Sequence, residues 1–174
     1  MSGPTTPAPA RFEVDLDERA TLLAFLDYYR TVFVRKAEGF TDDEARRATC
    51  PPSEMTVMGL VRHMAEVERG WFRRSVAAED APAIYYSDAP GGDPDGDFHP
   101  GPDDTLEDAL AVWHDEVDRA RTILADVSLD QTFAHRRLGA PKVRWVIVHM
   151  VEEYARHVGH LDLLTEALDG RTGD

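Results

Sequence analysis

Residues 143–168 read VRWVIVHMVEEYARHVGHLDLLTEAL, with Pro141 just upstream and Gly170 just beyond. Val146, Met150, Leu161, Leu164 and Leu168 recur with the three- and four-residue steps of an α-helix. Pro141 suits a first turn and Gly170 a stop, so a helix of about 39 Å is expected. Its apolar seam is interrupted twice, at Glu153 and His157. These two lie four residues apart and therefore share a face, one turn from each other. Burying an ionised carboxylate without a partner costs several kcal/mol, so this seam demands a partner from elsewhere in the fold. At about 100° per residue, His149, Glu153, His157 and His160 fall within an arc of roughly 80°.

Working outward, three more helices carry the same period. Leu22, Leu26, Tyr29 and Phe33 define the first, from Asp17 as cap to about Glu38, with Gly39 as stop. Thr41 and Glu44 form a capping-box signature for a short helix over 42–48. Val57, Leu60, Met64, Val67 and Trp71 mark a second long helix, from near Thr56 to about Ala77. Leu106, Leu110, Trp113, Val117, Ala120 and Leu124 mark the third. No strand alternation competes with them. The expected fold is all-α, a four-helix bundle with a long loop between its second and third helices. That connection, residues 80–104, is rich in Pro, Gly and Asp. Its length inside a small domain is the mark of a functional or a loosely ordered segment.

Composition bounds the function. The chain has 174 residues, 43% of them hydrophobic, which fits one domain with a real core. We expect a flexible arm over 1–15 and a single helical domain over 16–174. The formal charge of −14 argues against a nucleic-acid backbone or an anionic membrane surface as partner. No apolar run is long enough to span a bilayer, and the first residues lack the pattern of a secretory signal. Cys50 is the single cysteine and has no partner for an internal disulfide. A cytoplasmic location is the expectation, and a homodimer is compatible with it. Among the 19 basic residues only Lys36 and Lys142 are Lys, and Asn is absent, the bias of a GC-rich genome such as actinobacteria have.

His63 flanks the seam of the second helix, toward the bundle interior. A Glu and a His one turn apart, facing a His on another helix, is the way bundles build metal sites. Two histidines and a carboxylate leave a coordination position open, as catalytic zinc sites do. The competing reading is an internal hydrogen-bonded pair of Glu153 with a core histidine, and residue spacing alone leaves both open. The run DPDGDFH at 93–99 lacks the Gly and the Glu that a calcium loop needs, so it reads as a solvated acidic loop.

Three segments resemble the DinB superfamily, in its actinobacterial branch of domains of unknown function: GLVRHMAEVERGWF at 59–72, RWVIVHMVEEYARHVGHLDLL at 144–164 and EALDGRTG at 166–173. The resemblance spans most of the chain. It implies a bundle of DinB-like topology carrying a divalent metal, with His63, Glu153 and His157 as ligands. Many members have His at both positions of the last helix. Glu153 departs from that pattern and agrees with the mycothiol-dependent maleylpyruvate isomerase relatives. Val158 and Thr165 stand where the branch usually has Asn and Arg.

The resemblance further implies a low-molecular-weight-thiol S-transferase, with mycothiol as cosubstrate and an electrophile as second substrate. Zinc is the first expectation for the metal, with nickel, iron or manganese as alternatives. His149 and His160 are the catalytic candidates, alongside Glu152 as a base, and Arg144 and Arg156 are candidates for holding a carboxylate of thiol or substrate. Two alternatives remain: an isomerase or hydrolase that uses metal-bound water, and a non-catalytic metal-binding stress or interaction bundle.

Overall fold

Local capping sets where the helices begin. In the computed structural model, which describes residues 6–7 and 13–173, Asp17 accepts from the Ala20 amide at 2.8 Å and opens α1 (Glu18–Ala37). Thr41 and Glu44 close both halves of the capping box and start α2 (Asp42–Ala45). Thr56 caps α3 (Val57–Glu68), and Thr105 caps α4 (Leu106–Asp126). Helix α5 (Val143–Asp169) ends on Gly170, whose φ of 79° places it in the left-handed region that glycine tolerates. Most of the expected N-terminal arm, residues 1–5 and 8–12, lies outside the described residues, as does residue 174. The Thr6 amide donates to Glu38 at 2.7 Å, and its carbonyl accepts from Arg35.

The fold is an all-α bundle, with no strand among the described residues and only two isolated bridges, Thr132 with Lys142 and His135 with Gly139. Helix α1 packs along α5 and α3 along α4, and α3 also touches α5. The core draws Leu26 and Phe33 from α1, Leu60 and Met64 from α3, Trp113 from α4, and Met150, Leu161 and Leu164 from α5. These belong to the apolar seams read from the sequence.

Two elements differ from expectation. Helix α2 stops at Ala45 rather than Ala48, because the Arg47 amide bonds to Glu44 and tightens the last turn. The second long helix does not stay α-helical to Ala77. Arg69–Val76 is π-helical, with the Ala77 amide bonding back five residues to Phe72 at 2.9 Å. Such widened turns often sit at functional sites, and this one carries Trp71 and Arg74 into a cavity wall.

The 80–104 connection folds back on α3. Arg62 donates to the Gly96 carbonyl at 2.8 Å, pairs with Asp104 and lies over the Tyr85 ring at 4.3 Å. The buried Glu66 carboxylate accepts from the Ile84 and Tyr85 amides. Glycine makes the close approach feasible at two places. A Cβ on Gly96 would stand 2.4 Å from the Tyr85 carbonyl, and one on Gly59 3.1 Å from that of Phe98. The segment is therefore held against α3 rather than loosely solvated.

Candidate metal centre

The α3–α5 contact brings His63, Glu153 and His157 together. One ligand-type atom from each lies within 4.8 Å of the others. Glu153 and His157 owe their alignment to helix period: His157 Nε2 is 3.5 Å from Glu153 Oε2. The His63 and His157 rings are 4.8 Å apart, centre to centre. The His157 side chain is 8% exposed, that of Glu153 16% and that of His63 21%, so the cluster is sheltered on one side and open on the other. The open side, at His63, meets a cavity of about 650 Å³ walled in part by Trp71, Asp97 and Phe98.

The loop supplies what the helices lack. Asp97, 7% exposed, accepts from His63 Nδ1 at 2.8 Å. That bond fixes the imidazole orientation and leaves Nε2 as the free donor atom, the usual role of a carboxylate behind a metal-binding histidine. Phe98 stacks on the His63 ring at 4.5 Å and 25°. Sequence reading placed Asp97 in a solvated acidic loop. No local pattern marks it, because its partner is 34 residues away.

The donor set suits a divalent ion. Burial, with the neighbouring His63, His160 and Arg156, pushes His157 down to about 3, so its ring is neutral at pH 7 and keeps a lone pair to offer. The Glu153 carboxylate stands 3.5 Å from His157 and 3.3 Å from His149. Both are longer than the 2.7–2.9 Å typical of charge-assisted hydrogen bonds. A simple Glu–His pair would be expected to close up. A carboxylate held this way among imidazoles could share a cation with them.

The remaining sequence candidates divide. His149 stays beside the cluster, with Nε2 toward Glu153 and Nδ1 3.5 Å from Glu152, and these three form a second convergent group. His160 is behind His157, their Nδ1 atoms 3.2 Å apart. Arg144 pairs with Glu18 and Asp130, and Arg156 with the exposed Glu152. Neither arginine lines the cavity at His63 or the smaller one beside it, where Arg136 and His135 are found instead. Tyr154 is fully buried and belongs to the core.

The displaced His157 titration has a sign that can be tested. The unfolded chain protonates this ring below about pH 6.5, the folded chain only near 3. Between those values the unfolded state holds the extra proton, so metal-free protein loses stability as the pH falls, by roughly 1.4 kcal/mol per unit at full slope. His157→Gln removes this contribution. Urea unfolding across pH 4–7 should show a steeper loss in the parent chain than in the variant, and parallel curves would refute the assignment.

A family model described as mycothiol S-transferase matches residues 21–170, most of the chain, including His63, Asp97, Glu153 and His157. No curated protein matches it.

Proposed function

The chain belongs to the mycothiol S-transferase family, and from that premise we propose that it joins a low-molecular-weight thiol, mycothiol in the first instance, to an electrophilic carbon in a metal-dependent reaction. The convergence of His63, Glu153 and His157 beside an open cavity is the observation that carries the metal dependence. These three residues would hold the ion. Two imidazoles and a carboxylate leave coordination positions free, and zinc fits that set, as do nickel, iron and manganese. A bound divalent ion supplies positive charge that lets a thiol lose its proton at neutral pH.

The chain's own groups do the rest. Asp97 holds the His63 ring by Nδ1 and leaves Nε2 free. Glu153 brings a negative charge that offsets part of the cation's. His149 receives the thiol proton. Both of its ring nitrogens face carboxylate oxygens, of Glu152 and Glu153, which a doubly protonated ring satisfies at both ends. Trp71 and Phe98 give the cavity wall its apolar surface. Protein as purified, given mycothiol and iodoacetamide, should form the thioether at a rate proportional to its metal content and lose that rate with chelator. Full metal occupancy without turnover on mycothiol or other small thiols would overturn the reading.

A further inference from the structure

Beside the His63 cavity lies a second one of about 370 Å³, walled by Trp71, Trp145, His135 and His149 and edged by Arg136 and Arg137. The rings form two parallel pairs. Trp71 lies on His135 at 5.2 Å and 12°, and Trp145 on His149 at 5.1 Å and 18°. The two indoles are 5.5 Å apart. Trp145 is 42% exposed, and Leu138 at the rim 46%, so large apolar side chains are left facing water at the mouth.

The charge at this mouth runs against the rest of the molecule. In a chain of net charge −14, Arg69, Arg73, Arg119, Arg144 and Arg156 are each paired with a carboxylate. Arg136 and Arg137, consecutive on the α4–α5 connection, make no ion pair with any described residue; Arg19, Arg35, Arg46 and Arg47 also make none, but none of those four lines this cavity. Arginines and indoles lining one cavity suit a ligand that is both flat and negatively charged. His149 belongs to this groove and also reaches Glu153, so an occupant here sits next to the metal cluster.

We infer that the cavity bordered by Trp71 and Trp145 is the subsite for the electrophile, and that it selects an aromatic carboxylate whose ring packs against the indoles and whose anion meets Arg136 and Arg137. Calling the occupant the electrophile rests on the thiol-transfer reading; its shape and charge do not. With p-(chloromethyl)benzoate, the sulfur forms a bond to the benzylic carbon, chloride leaves with the bonding pair, and the thiol proton passes to His149.

The test separates the two readings, because equilibrium binding needs neither thiol nor turnover. Quenching of tryptophan fluorescence in the protein as purified should saturate with p-nitrobenzoate at a Kd at least tenfold below that of p-nitrotoluene, with acetate giving no effect. Arg136→Ala with Arg137→Ala should abolish that tenfold advantage, equivalent to about 1.4 kcal/mol. Trp145→Ala, at a half-exposed position, should weaken both aromatic ligands. Equal affinity for the two nitroaromatics, or an unchanged ratio in the double variant, overturns the anion assignment; no saturable quenching by either overturns the groove. Saturable binding without turnover of p-(chloromethyl)benzoate by mycothiol upholds the groove and counts against thiol transfer. Turnover of iodoacetamide without p-nitrobenzoate binding does the reverse.

Discussion

Chain carrying His63→Ala or His157→Ala is expected to leave purification without a divalent ion, where the parent chain carries close to one. Each substitution removes one of three convergent donors, and at the buried His157 side it also leaves a void that water can enter. Elemental analysis of protein prepared without chelator reads the outcome directly. Full occupancy in both variants would show that His149, with Glu152 and Glu153, holds the ion instead.

Two milder substitutions grade the same site. Asp97→Asn keeps the volume but weakens the bond that orients His63, and metal affinity should fall 10–100-fold, as loss of outer partners generally costs. Glu153→Gln should lower it by at least as much, since it removes the negative charge facing the ion. The stability of metal-free protein then separates ligand from structural pair. As a ligand, Glu153 is an imperfectly compensated carboxylate in the apo protein, and its neutralisation leaves stability level or raises it. As a structural partner of His157, the same change would cost roughly 1–3 kcal/mol and leave metal binding alone. The 3.3 and 3.5 Å separations favour the first outcome.

What could be read in the sequence was what is decided locally. Asp17, Thr41 and Gly170 act on backbone groups three or four residues away, so each was visible as a cap or a stop. The juxtaposition of Glu153 with His157 was equally visible, since helix period dictates it. The π-helical turn at 69–76 was not, because Leu60, Met64 and Trp71 keep a pattern that α and π windings share over so few turns. Asp97 and Arg136 reach the site through loop closures. Their neighbours His63 and Trp71 are more than thirty residues away in sequence, and periodicity carries no signal over that distance. Arg144 and Arg156 were drawn toward the site by proximity to its motif. The excess of carboxylates gives each a nearer partner.

The same blindness hid the largest polar feature of the core, and it yields the strongest stability expectation. Arg30 of α1 forms a two-pronged pair with Glu68 at the end of α3, at 2.8 and 2.7 Å. Tyr154 of α5 donates to Glu68 at 2.6 Å, and Trp113 of α4 donates to the Tyr154 hydroxyl at 2.9 Å. One chain of bonds thus ties all four long helices, with each of these side chains at most 2% exposed. Burial opposes the Arg30 charge, yet Glu68, with smaller contributions from Tyr154 and Asp27, outweighs it and raises the guanidinium further above its usual range. Burial and the Glu68 charge likewise push Tyr154 up, so its hydroxyl stays protonated and able to donate. Glu68→Met leaves the guanidinium with only the half-exposed Asp27, 3.2 Å away, and should cost about 3–5 kcal/mol in urea unfolding. Arg30→Met added to it removes the stranded charge as well. The double variant should then recover most of that loss, since two packed apolar side chains replace an ion pair whose desolvation offsets much of its attraction. A single variant that loses less than about 1 kcal/mol, or a double variant no more stable than the single, would show that the pair does not govern how the four helices are held together.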